Sequence, residues 1–260
     1  MNTRAVAMAF RTGARRTFSE RGGLLVSVGF YAVIVATLSG LWRVAVHAHH
    51  GSLEGYTAVA LTWYVITSEA TTVSLNPRLI DDVGLDVAGG AIAVELLRPV
   101  SVLWLRVAGE LGRGLAKALV LWPAGALLAA LVAGSPPRPL ALAVAVPSLV
   151  LAMVANVLGQ HAASAITFWI RDAGVMWFIW QKLVFITGGL IIPLELLPSG
   201  LEHAAFVLPF WAMAYAPGRL ASGHLQPALL LGQLVWVGLL GVAARAAFGA
   251  GERRLQVVGG

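Results

Sequence analysis

Thr62, Glu69, Thr72 and Asn76 interrupt or end one apolar run, Tyr56–Leu75. Their spacing places all of them on one face of an α-helix. A second run, Leu140–Ala163, carries Asn156 and Gln160, and Ser164 and Thr167 continue that face. Such groups are expensive in hydrocarbon, so they turn toward protein or water. Two readings fit. The side chains line a partly wet path for a solute, or they hydrogen-bond between helices and hold a bundle together. The path would comprise Thr62, Glu69, Asn76, Asn156 and Gln160, with Glu69 the strongest functional candidate. Lys182, inside a third apolar run, either pairs with Glu69 or reaches to the inner surface.

Most catalytic chemistry is excluded. The chain has no Cys, hence no disulfide, thiolate metal site or cysteine nucleophile. A phosphate-binding loop needs Lys directly after Gly, whereas Lys117 follows Ala116 and Lys182 follows Gln181. No His-Glu-x-x-His helix and no Gly-x-Ser-x-Gly turn occurs. His47, His49 and His50 cluster in one loop, but no carboxylate or further His is placed to complete a metal site, so a solvated loop is expected. We therefore expect no catalytic residue, no metal and no cofactor in this chain.

The elements that must position these residues are membrane helices. The 260 residues are 58% hydrophobic and 12% charged, with a mean hydropathy of +0.82. A soluble core would need far more polar surface. Six runs are long enough to span: Leu24–Leu41, Tyr56–Leu75, Leu115–Val132, Leu140–Ala163, Val175–Ile192 and Ala228–Phe248. With both termini in the cytoplasm, only Arg43, Arg138 and Arg219 fall outside, Lys182 lies within a span, and the remaining basic residues lie inside. The net charge of +6 thus reflects membrane orientation and not nucleic-acid binding. The N-terminal stretch is too long and basic for a cleavable signal. Residues 1–22 read as an amphipathic helix along the anionic inner leaflet, with Arg4, Arg11 and Arg15 on one face and Val6, Phe10 and Gly13 on the other. A disordered basic tail is the alternative.

Two connecting regions are unusual. Residues 76–117 gather Asp81, Asp82, Asp86 and Glu95 with a dense set of basic residues in one cytoplasmic loop. Leu79–Val87 is a short acidic segment closed by Gly89-Gly90. From Ser101 to Lys117, Arg106, Glu110, Arg113 and Lys117 form one charged helical face opposite Leu103, Trp104, Val107 and Leu111. Pro99 suits the start of this helix, which runs into the third span. The loop is a docking surface for a soluble partner. On the outer side, residues 193–227 hold Pro193, Pro198, Pro209, Pro217 and Pro227 between apolar pieces too short to cross. They dip into the membrane and return as re-entrant helices, and Gly188-Gly189 before them permits close helix approach.

The chain resembles the permease subunits of ABC type-2 family transporters, in a group of about 260 residues encoded apart from their ATPase. The resemblance runs along essentially the whole chain. It rests on the Arg-bearing start, Gly89-Gly90 with Glu95-Leu96-Leu97-Arg98-Pro99-Val100-Ser101, and Gly109-Glu110-Leu111-Gly112-Arg113. Further matches are Phe168-Trp169 with Asp172, Gly189–Leu194 with Pro198, Leu208-Pro209-Phe210 with Pro217, and Val258-Gly259-Gly260. The family usually has a basic residue just before the glycine, where this chain reads Val87-Ala88-Gly89-Gly90.

The resemblance implies an all-α membrane protein forming a single domain over 1–260. It would have six transmembrane helices, an N-terminal interfacial helix, a cytoplasmic coupling helix within 76–117, and outer re-entrant helices within 193–227. It implies a bacterial plasma-membrane exporter of drugs or other amphipathic molecules, built from two permeases, often different chains, and two ABC ATPase subunits that bind ATP and Mg. Asp81, Asp82, Asp86, Gly89, Gly90, Glu95, Arg98 and Pro99 are then expected to couple to the ATPase. Pro193, Glu195, Pro198, Pro209 and Phe210 are expected to form an outer gate. Membrane lipids are the other expected partner. An ATP-independent carrier or channel is the main rival; it predicts charges on several spans and an internal repeat, neither of which the sequence displays.

Overall fold

A computed structural model describes residues 3–97, 99–136, 138–170 and 174–258. Among these residues there is no β-strand, only an isolated bridge between Leu53 and Tyr56. The helices are α1 (Thr3–Ser19), α2 (Arg21–Ala48), α3 (Ala58–Ser74), α4 (Leu79–Ala88), α5 (Ala91–Leu96), α6 (Val102–Val132) and α7 (Pro139–Ser164). They continue as α8 (Gly174–Ile186), α9 (Ser199–Val207), α10 (Tyr215–Ala221) and α11 (Ala228–Val258), with short 3-10 turns at Ala165–Phe168, Leu194–Leu196 and Pro209–Ala212. Arg98, Asp172, Gly259 and Gly260, singled out above, lie outside the described residues.

Among the described residues, four helices are long and apolar enough to cross a membrane: α2, α6, α7 with its 3-10 extension, and α11. Their exposed large side chains form apolar belts, such as Leu25, Val26, Phe30 and Val33 on α2, or Leu231, Leu234 and Val235 on α11. The two remaining expected spans are shorter. α3 has 17 residues and α8 has 13, about 25 Å and 20 Å at 1.5 Å per residue, against about 30 Å of hydrocarbon. α3 begins where Thr57 accepts a hydrogen bond from the Ala60 amide at 3.2 Å, and it stops just before Asn76-Pro77. It is also heavily enclosed, with every residue from Ala60 to Thr71 buried, because α2, α6, α7 and α10 pack around it. α8 stops at Ile186 instead of Ile192. The Gly188-Gly189 pair, expected to sit in a helix contact, is the break itself. Gly189 takes φ +67, Tyr64 donates to its carbonyl, and the Tyr215 amide donates to Gly188 at 2.8 Å.

α1 does not merely float on the surface. It lies along α6, the pairing with the most extensive contact in the molecule. Gly13 is buried; a Cβ there would strike the Gly109 carbonyl, and one at Gly112 would strike that of Phe10. The Thr17 hydroxyl donates to the Arg113 carbonyl at 3.2 Å. The charged face of α6 is therefore covered, and Glu110 on it is buried. α6 is continuous across its 31 residues despite Pro123. It begins at Val102, so Pro99 precedes the helix and does not occupy its first turn. Leu79, Val83 and Ile92 tie α4 and α5 into an inner core with Leu103, Val107, Met153, Phe168 and Phe248. A separate outer core joins Trp42, Tyr56, Leu61, Tyr64, Trp211, Tyr215 and Leu220.

Candidate functional site

Three clusters hold the residues singled out in the sequence. The first is a cleft of about 270 Å³ where the end of α3 meets α7 and α8. Asn76, Asn156 and Gln160 line it together with Trp180, Lys182 and Phe185. Gln160 donates to Asn156 at 2.8 Å. Asn76 donates to Asp82 at 2.7 Å and accepts from the Arg78 amide at 3.0 Å, which fixes the turn out of α3. Lys182 sits over the Phe178 ring with its ammonium 5.1 Å from the centroid; its neighbour is aromatic, not Glu69.

Thr62 and Glu69, expected on the same path, do not line the cleft. Both are buried, Glu69 to 4% exposure, because α3 is enclosed on all sides. Thr62, Thr67, Thr71 and Thr72 each donate to the carbonyl four residues back, at 2.8–3.3 Å, and Ser164 and Thr167 donate three residues back. These hydroxyls satisfy themselves on their own helices and need no water. Between elements, Thr67 also accepts from Trp122 Nε1 of α6 at 3.3 Å, Ser68 donates to the Ala214 carbonyl at 3.0 Å, Tyr31 to the Ile66 carbonyl at 2.8 Å, and Gln233 to the carbonyls of Ser148 and Ala212.

The second cluster is the α4–α5 hairpin. Arg106 of α6 donates from Nη2 toward Asp86 at 2.7 Å and from Nε to Glu95 at 2.9 Å. Glu110 pairs with Arg113, Asp81 lies 3.6 Å from Arg78, and Asp82 accepts from Asn76. Every acidic side chain of the loop thus has a partner within the chain. Gly89 ends α4 and Gly90 turns the chain with φ +75. The hairpin presents an apolar patch outward, with Leu85, Val94 and Leu97 71%, 65% and 84% exposed beside exposed Ala88, Gly89, Gly90 and Pro99, and Asp82 is exposed as well. Asp86 and Glu95 hold the hairpin to α6, whereas Asp81 and Asp82 pair with Arg78 and Asn76 at the turn out of α3. Nothing in the spacing of Arg106 from Asp86 and Glu95 marks it as their shared partner.

The third cluster faces the other end of the molecule. Glu195, in the 3-10 turn after Pro193, forms an ion pair with Arg219 of α10. Its Oε1 also accepts from Tyr215 at 2.8 Å and from Tyr56 at 3.2 Å, and Arg219 donates to the Tyr56 oxygen at 3.2 Å. Pro198 precedes α9, and Pro209 opens the next 3-10 turn. Phe210 is buried and meets Trp180 edge-on at 5.2 Å between centroids. Trp180 in turn lines the inner cleft and packs on Gly159, where a Cβ would collide with its ring. The outer segment and the cleft therefore share one aromatic contact.

His161 escaped sequence reasoning. It is fully buried on α7, its Nδ1–H donating to the Val157 carbonyl at 2.8 Å. Among the described residues no group of three or more His, Asp or Glu is placed to hold a metal ion. Of the loop histidines, His49 bonds the Ala45 carbonyl at 2.9 Å and His50 adopts φ 58.

No curated protein matches the chain. A family profile described as ABC-2 family transporter protein matches residues 33–259. A chain that is helical throughout its described residues, with apolar helices long enough to span and a hairpin locked to one of them, accords with that match, and the protein belongs to the ABC-2 transporter family, whose members are membrane components of ABC transporters.

Proposed function

We propose that this chain is the permease of an ABC exporter that moves amphipathic, drug-like substrates outward, driven by ATP and Mg on a separate ATPase. The observation that carries the reading is the Arg106 fork, which ties the α4–α5 hairpin to the start of a 31-residue helix. A partner pressing on Leu85, Val94 and Leu97 moves α6 as a rigid lever, because the hairpin cannot shift without the helix. In this reading α3 and α8 complete six spans, with flanking residues making up their length, and both termini lie in the cytoplasm of a bacterial cell.

Two permeases, the second a copy or a related chain, and two ATPase subunits form the transporter. Substrate enters from the inner leaflet beside Asn76, Asn156 and Gln160. It leaves past the Glu195–Arg219 pair and the Pro193–Phe210 segment, which form the outer gate. Arg98, where the family resemblance places a coupling residue, is assigned the same coupling role.

Co-expression with its ATPase tests the assignment. The complex is expected to co-purify with vanadate-sensitive ATPase activity, and Leu85→Glu with Leu97→Glu should abolish co-purification while membrane insertion is retained. Transport by the isolated chain in vesicles, with no ATPase present, overturns it.

A further inference from the structure

A cavity of about 300 Å³ lies where α1 turns into α2, bounded by the end of α3 and by α6. All of its walls pass from polar to apolar at this level. α2 exposes Leu25, Val26 and Phe30 just beyond Glu20, α6 exposes Leu119 just beyond Lys117, and α3 gives way to Asn76-Pro77-Arg78. With the helices placed across a bilayer, the cavity sits where headgroups meet acyl chains.

Three of its four lining charges are already paired. Glu110 is taken by Arg113, and Glu20 by Arg16 at 2.8 Å. Lys117, half-buried, is the lining charge with no ion-pair partner among the described residues. Ser74, 4% exposed, also lines the cavity, and its hydroxyl oxygen is buried with no hydrogen-bond partner. The other lining hydroxyls are engaged as donors, Ser27 to the Gly23 carbonyl and Thr17 to that of Arg113. One unpaired ammonium therefore lines the same space as a residue whose O–H is unused. A buried donor left unpaired is costly, and a group carrying several acceptor oxygens and negative charge relieves both. Beside the cavity, Gly22 and Gly23 leave open space, while the exposed Arg11, Arg15 and Arg21 draw anionic lipid to this side.

We propose that Lys117 and Ser74 bind the phosphate of an anionic phospholipid headgroup, pinning the α1–α2 elbow to the inner leaflet. The inference rests on the membrane placement given above and not on coupling to an ATPase. It is tested on the purified full chain by native mass spectrometry in detergent, with added phosphatidylglycerol or phosphatidylcholine as probes. Wild type should retain phosphatidylglycerol selectively. Lys117→Gln should lower that retention about fivefold, the worth of one basic side chain near an anionic surface. Ser74→Ala should lower it too, Lys117→Arg should restore it, and Arg43→Gln at the opposite end should leave it unchanged.

Equal retention by wild type and both Lys117→Gln and Ser74→Ala, at unchanged unfolding temperature, overturns the proposal. Displacement of the lipid by an equal concentration of glycerol 1-phosphate also overturns it, because the site would then serve a soluble phosphate. Loss of ATPase co-purification leaves these outcomes unaffected, so the two proposals fail separately.

Discussion

Arg106 and Asp86 meet at 2.7 Å across the junction of α6 and α4, and the same guanidinium reaches Glu95 on α5. A planar fork with several fixed donors can hold two carboxylates from two helices at once; a lysine ammonium cannot reproduce that geometry. Charged hydrogen bonds contribute about 1.5–3 kcal/mol each, here reduced because Asp86 and Glu95 are over a third exposed. Arg106→Ala should therefore loosen the hairpin locally by about 1–2 kcal/mol. Amide exchange in 85–97 is expected to accelerate about tenfold while α7 and α11 stay protected. Arg106→Lys should fall between. Unchanged exchange in the hairpin would show that the core contacts of Leu79, Val83 and Ile92 suffice.

The α1–α6 contact is a backbone-to-backbone approach at Gly13 and Gly112. Alanine at either position must push the helices apart, an overpacking cost of about 1–3 kcal/mol. Gly29 and Gly40 on α2 have open space around them, so alanine there should be neutral or stabilising by under ~1 kcal/mol. Thermal unfolding in detergent separates the pairs: Gly13→Ala and Gly112→Ala lower the midpoint, and Gly29→Ala and Gly40→Ala do not.

Hydrophobic runs and helical spacing made the long helices legible, including the continuous run from the loop into α6 and the broken outer segment. They did not reveal that α3 is enclosed. A run that is apolar all round can face lipid or protein, and only the packing of α10 and α7 against it decides. The same ambiguity covers Glu69 and Thr62, which share a helical face with Asn76 but lie on a stretch that other helices cover. Asp86 and Glu95 were visible as charges, yet an acidic loop reads the same whether it meets a partner or its own arginine. The phosphate-site candidate Lys117 was visible only as one position on a charged face, because its lack of a partner is a property of the fold.

Because the chain has no cysteine, single introduced thiols report the wet surface directly. Asn76→Cys, Asn156→Cys and Gln160→Cys should react with a water-soluble thiol reagent from the cytoplasmic side. Thr62→Cys and Glu69→Cys should remain unlabelled under the same conditions. Rapid labelling at Glu69 would return the path to the interior of α3 and remove the present cleft from it.

Glu195 and Arg219 are each about one-fifth exposed, at 22% and 20%. Removing one partner of such a pair strands the other among Tyr56 and Tyr215, and costs toward the low end of about 3–5 kcal/mol. Arg219→Gln and Glu195→Gln should each lower the unfolding temperature clearly. The double variant should cost less than their sum, with a coupling of at least ~1 kcal/mol. Strict additivity would mean that the two residues act independently, and the gate assignment would lose its latch.

His224 lies in the loop after α10, where its ring stacks on Tyr56 at 4.3 Å and its Nδ1 lies 3.0 Å from the Ser222 hydroxyl. Burial lowers its pKa below the ordinary 6.5, and the nearby Arg219 and Arg138 lower it further. With the folded value depressed, the unfolded loop takes up the proton first as pH falls. The loop's contribution to stability is thus present above about 6.5 and is lost as the pH drops below it, levelling off under the folded value. Acidifying the outer side from about 7 to 5 should raise proteolysis in 222–227 and lower the protection of its amides relative to their intrinsic exchange rate. His224→Gln keeps a polar group of similar reach but cannot titrate, so the protection of its amides should no longer respond to pH across this window. A wild-type loop that tightens on acidification would reverse the sign and place a carboxylate, not the two arginines, in control of this histidine.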